Sequence, residues 1–179
     1  MRRVHIIFLS LLFLMHCSSV KDSAGLSGQG EGNIEEHRTV LKVDGMILGE
    51  FDISDIRTEE FPWFDKNFVG YDIDQMKLNQ IRTRLQDIKI LCFAGTWCSD
   101  THRELPRMWR ILFDAQADPD IMKMYGIDRN KMSPNGEAAM FQIKLSPTFI
   151  FLRNGVELGR IEEQPRKSLE SDMLDIITK

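Results

Sequence analysis

The stretch Leu91–Pro106, LCFAGTWCSDTHRELP, constrains the fold more than any other part of the chain. Ile88–Ala94 is a short, near-continuous apolar run, which suits a central strand covered on both faces. Gly95-Thr96-Trp97-Cys98 ends that run. From Ser99 onward, Leu105, Met108, Trp109, Leu112 and Phe113 mark one face of a long helix, expected to stop near Ala117 and before Pro119. Pro106 falls inside it, so a kink is expected there. A buried strand therefore delivers a cysteine to the first turn of a helix. Unpaired backbone N–H groups and the positive end of the macrodipole favour thiolate at such a place. The thiolate is the nucleophilic form, so Cys98 is the candidate nucleophile. The competing reading is an inert buried thiol.

The flanking sequence supplies alternating elements. Thr39–Val43 and Met46–Phe51 are expected to form a short strand pair around the turn signal Asp44-Gly45. Phe61, Trp63, Phe64, Phe68 and Tyr71 crowd a loop-like region bounded by Pro62 and Gly70. They read as a flap packed on the core, or as a wall of a groove near Cys98. Asp72 and Gln75 resemble a capping box ahead of a helix over 73–86. Beyond the Cys98 helix come a strand over Ile121–Ile127, a loop over Asp128–Gly136 and a short helix over Glu137–Phe141. Thr148–Leu152 and Val156–Ile161 form a hairpin around Asn154-Gly155. Leu169, Met173, Ile176 and Ile177 give a last helix its buried stripe.

Three features together resemble the thioredoxin-like family. Trp97-Cys98 matches its Trp-Cys, Pro106 stands where its helix proline stands, and Ser146-Pro147-Thr148 looks like its cis-proline segment. The resemblance covers roughly residues 73–179, with 39–51 the candidate for the first strand. It implies an α/β thioredoxin fold: a central mixed sheet flanked by helices, here with an N-terminal extension at 37–72. The resemblance also implies that Ser146-Pro147 is cis, against a base rate of about one X-Pro bond in twenty. It further implies that the loop lies against Cys98, with Trp97, Ser146 and Pro147 contacting an extended substrate by strand addition. The competing reading is an ordinary trans turn.

The family's second cysteine is replaced by Thr101, which cannot resolve a mixed disulfide. Its hydroxyl is read either as a hydrogen-bond donor to the Cys98 thiolate or as a helix-turn hydroxyl facing water. Cys92 stands where thioredoxins hold a buried carboxylate. It is read as a small core residue, or as a partner for Cys98 if the Cα atoms lie within about 7 Å. Asp100 favours the macrodipole but opposes a negative Cys98. His102 would favour thiolate if protonated on the same helix face, or is a solvated histidine without a partner. Arg103 is a surface charge, or attracts an acidic thiol ligand such as glutathione.

The N-terminus has a different character. Arg2 and Arg3 precede an apolar run, Val4–Met15, too short to span a bilayer, which takes about 20 residues. It fits an export signal, and Cys17 followed by Ser18-Ser19 looks like a bacterial lipoprotein site, despite His16 where a small residue is usual. A simple cleaved signal is the alternative. Residues 18–36 read as a tether too polar to fold. The protein is thus expected in the cell envelope, lipid-anchored or soluble. A net charge of −4 and the lack of a basic run argue against nucleic acid. The three cysteines suit neither a disulfide framework nor a zinc site, and no cofactor is implied.

The first expectation is a thiol-disulfide oxidoreductase working through Cys98 alone. It would act on a disulfide-bearing protein or small thiol, with an external thiol to resolve the mixed disulfide. The second is a non-catalytic peptide-binding module. The third, metal handling by Cys98, His102 and a methionine, has no ligand motif behind it.

Overall fold

The computed structural model describes residues 40–179. The export-signal, tether and Cys17 readings lie outside the described residues. Among these residues six strands and six α-helices follow in the order β1 (Leu41–Val43), β2 (Met46–Phe51), α1 (Ile53–Ile56), α2 (Trp63–Val69), α3 (Gln75–Arg82), β3 (Ile88–Ala94), α4 (Ser99–Asp114), β4 (Met122–Gly126), α5 (Glu137–Met140), β5 (Thr148–Arg153), β6 (Val156–Glu162) and α6 (Leu169–Ile177). The strands form one mixed sheet in the order β1-β2-β4-β3-β5-β6. Only β3 and β4 run parallel; every other neighbouring pair is antiparallel.

Side-chain alternation along the central strand builds a core on each face. Ile88, Ile90, Cys92 and Ala94 of β3 join the larger core, which α2, α3, α4 and α6 cover through Phe64, Leu78, Leu105 and Met173 among others. Phe93 faces the opposite way, into a smaller core with Tyr125, Ile127, Ala138, Ile143 and Ile150. This is why β3 reads as continuously apolar. Both hairpin turns carry positive φ at both central residues, 50° and 72° at Asp44-Gly45 and 51° and 79° at Asn154-Gly155, the conformation these dipeptides tolerate.

Three local expectations need correction. The aromatic segment is not a loop: Trp63–Val69 is helical, with Pro62 as N-cap and Gly70 as C-cap. Proline before and glycine after a short apolar segment mark helix ends as well as loops. Asp74, not Asp72, caps α3, accepting from the backbone N–H groups of Met76 and Lys77. That helix stops at Arg82, with Thr83 as its C-cap, and does not continue to 86.

Residues 46–51 belong to the main sheet, since β2 pairs with β4 through Gly49↔Gly126, Glu50↔Tyr125 and Phe51↔Met124. Phe61, Phe64 and Phe68 are buried in the larger core. The Tyr71 hydroxyl donates to the buried Glu170 carboxylate at 3.0 Å, tying the segment before α3 to α6. Burial, reinforced by the Glu170 charge, pushes the Tyr71 phenol well above its ordinary range. Among the described residues, no helix is long and apolar enough to cross a membrane.

Candidate functional site

Cys98 is the N-cap of α4, with extended backbone (φ −94°, ψ 127°). Its carbonyl accepts from His102 N at 3.0 Å, starting the helix, while its own N–H donates back to Gly95 at 2.9 Å. Cys98 is partly exposed, and its sulfur lies 3.2 Å from the Ser146 carbonyl oxygen, to which the S–H donates. The Ser146–Pro147 bond is cis. Two segments 48 residues apart therefore meet at the sulfur.

A buried hydroxyl pair fixes that meeting. Ser146 Oγ accepts from Gly95 N at 2.9 Å and shares a hydrogen bond with Thr101 Oγ1 at 3.1 Å. Thr101 is fully buried. It is thus not a hydroxyl facing water, and its hydrogen bond goes to Ser146 rather than to Cys98. The helix turn carries Thr101 beneath the proline loop, where it acts as a strut.

Trp97 is held by its indole N–H, which donates to the Ile127 carbonyl at 3.0 Å. The ring lies so close to Gly95 that a Cβ there would sit 2.5 Å from it, so only glycine fits under this indole. The cations of Arg129 and Lys131 lie over the same ring, 5.3 and 5.1 Å from its centroid. Sequence reading missed both; they follow β4 in a polar loop with no periodic signal.

His102 is not a solvated residue without partners. Its ring stacks on Trp63 (centroids 4.4 Å apart, planes within 16°), and Nε2 lies 2.7 Å from the Thr96 carbonyl. Thr96 Oγ1 in turn accepts from Ile47 N at 3.2 Å. The turn before Cys98 is thus braced by α2 on one side and β2 on the other. Of the aromatic segment, Trp63 reaches this region, while its phenylalanines serve the core. Asp100 is neutralised by Arg103 at 2.7 Å, and Arg103 also pairs with the buried Glu104. Arg103 is therefore a paired charge in the helix's first turns.

Cys92 is fully buried in the larger core, and both described cysteines are free thiols. Burial pushes the Cys92 thiol far above its ordinary range. Its burial fits the reading of Cys92 as a small core residue. A thiol that stays protonated in the fold, but ionises at about 8.5 when unfolded, costs nothing below that pH. Above it, the unfolded state gains and the fold loses up to about 1.4 kcal/mol per pH unit. Wild-type stability should therefore fall relative to Cys92→Ala as pH climbs from 7.5 to 9.5. Urea unfolding at both pH values checks this, and an unchanged gap between the two proteins would contradict it. No cluster of three His, Cys, Asp or Glu side chains suited to a metal occurs among the described residues.

No family model and no curated protein matches the chain. Among solved structures, it is similar to a protein of unknown function from Pseudomonas aeruginosa, at 17% identity and a TM-score of 0.36. That match covers 65% of this chain and 93% of the other. A likeness so slight carries no argument about fold or activity.

Proposed function

We propose that this is a thioredoxin-like protein that exchanges disulfides through Cys98 alone, tethered in the cell envelope. The carrying observation is a partly exposed cysteine at the start of a helix, with the carbonyl before a proline 3.2 Å from its sulfur. The element order α3, β3, α4, β4, α5, β5, β6, α6 supports the fold assignment.

In the proposed cycle the Cys98 proton passes to solvent and the sulfur attacks one sulfur of a substrate disulfide. A bond forms to Cys98, and the other substrate sulfur leaves as a thiolate that solvent protonates. An external thiol then attacks the mixed disulfide, restoring Cys98 and forming a new disulfide. One disulfide is consumed and one is made, so no further oxidant or reductant is needed. The helix start offers N–H groups to the charge that develops on sulfur. Loss of the Cys98 proton also frees the Ser146 carbonyl from its S–H donor, leaving it to accept a backbone N–H of the substrate. Thr101 and Ser146 hold the two segments together while this happens.

The test is a mass-resolved reaction with a peptide disulfide at neutral pH. A single adduct on Cys98 is expected, released by excess thiol, absent in Cys98→Ser, and formed at least about tenfold faster than in the urea-unfolded chain. A folded rate no faster than the unfolded one would remove the exchange reading and leave a peptide-binding module.

A further inference from the structure

Seven cations lie over aromatic rings in the described residues. Five of them are also paired with a carboxylate: Lys42 with Glu60, Arg57 with Asp65, Arg107 with Glu104, Arg110 with Asp114 and Lys123 with Glu50. The other two are Arg129 and Lys131, and both sit on Trp97, the residue before Cys98. Among the described residues neither has a carboxylate within ion-pair distance.

Their loop is held in place. Asp128 lies at its base, yet one of its carboxylate oxygens accepts from the backbone N–H groups of Asn130 and Met132, both at 2.8 Å. Lys131 N donates to the Asp128 carbonyl, and Lys131 takes up φ +64°, a left-handed conformation uncommon for a lysine. Its ammonium donates to the Arg129 carbonyl at 3.2 Å, which keeps it over the indole. Two like charges are thus brought to one ring with no carboxylate within ion-pair distance of either among the described residues. Such an arrangement repels itself until an anion arrives, and an anion that arrives there meets the indole of the residue before Cys98.

We propose that Arg129 and Lys131, mounted on Trp97, select disulfides whose flanking groups carry carboxylates. This rests on Cys98 exchange as proposed above and names its substrate class. Two sources share the chemistry: an acidic polypeptide segment, and a low-mass acidic disulfide such as glutathione disulfide. The cations sit within a Debye length, about 10 Å at 0.1 M salt, of a group bound at the neighbouring indole. They act on encounter and on bound carboxylates alike.

The experiment compares mixed-disulfide formation on Cys98 for two peptide disulfides identical except for flanking Glu or flanking Lys. The Glu-flanked probe is expected to react about tenfold faster at low salt, with the ratio falling toward one in 0.5 M salt. The ratio should collapse toward one in R129Q/K131Q and invert in R129E/K131E. A misfolded variant would lose both rates and could not invert their order. Glutathione disulfide against its dimethyl ester separates the sources: a preference for the free acid that the charge-reversed variant loses assigns the low-mass ligand, and a preference confined to peptides assigns the polypeptide. A second arm uses Cys98→Ser and S-methylated forms of the same peptides, with binding read by fluorescence anisotropy. Tighter binding of the Glu form there, with no exchange in the native chain, upholds the charge selection and removes only the exchange chemistry. Exchange without charge preference, or a preference that R129E/K131E leaves intact, overturns the selection; no exchange and no binding preference overturn both.

Discussion

Replacing Gly126 with alanine is expected to destabilise the fold by about 3 kcal/mol, at the upper end of overpacking costs. Gly126 closes β4, paired with Gly49 of β2 on one side and Ala94 of β3 on the other. A Cβ there would stand 2.2 Å from the Ile47 carbonyl oxygen and 2.6 Å from its carbon. Those are backbone atoms, so no rotamer change relieves the clash; β2 itself must move. That movement would strain the bond from Ile47 N to Thr96 Oγ1, which braces the turn before Cys98. Valine should be worse than alanine, because its branched side chain extends the same clash. Urea unfolding gives the number directly. A loss under about 1 kcal/mol would mean that β2 yields easily and does not brace the site.

Ser146→Ala is expected to cost about 3 kcal/mol as well, for a different reason. It removes no bulk, but it strips partners from two buried groups, Gly95 N–H and the Thr101 hydroxyl. Each buried group left unsatisfied costs about 1–3 kcal/mol. Thr101→Val should cost less, about 1–2 kcal/mol, because Ser146 Oγ still accepts from Gly95 N. In the double variant the Thr101 hydroxyl is no longer stranded, so the loss should fall short of the sum by about 1 kcal/mol. The same link holds the proline loop against the cysteine turn, so Ser146→Ala should also slow Cys98 exchange, by about tenfold. Additivity within about 0.3 kcal/mol in the unfolding cycle would show that the two hydroxyls do not act together.

What could be read from the residues alone was whatever short-range chemistry settles. Asp44-Gly45 and Asn154-Gly155 announce hairpins because their turns need positive φ at two successive residues. Ile88–Ala94 announces a central strand, and the stripe after Ser99 a helix with Cys98 at its head, because burial imposes its period on the sequence. The same local reasoning failed at Trp63–Val69, where proline and glycine punctuate a helix as readily as a loop.

Only the tertiary structure decided which groups meet. Thr101 and Ser146 are 45 residues apart, and Trp97 finds its acceptor 30 residues away at Ile127. His102 takes Trp63 as its stacking partner, and Arg129 and Lys131 converge on an indole from a loop with no pattern of its own. The meetings around Cys98, Ser146 and Ile127 follow from strand order: placing β3 between β4 and β5 brings the ends of three strands together at one end of the sheet. Propensity acts over a few neighbouring residues, whereas the order of strands is set by how the whole chain buries its two apolar faces.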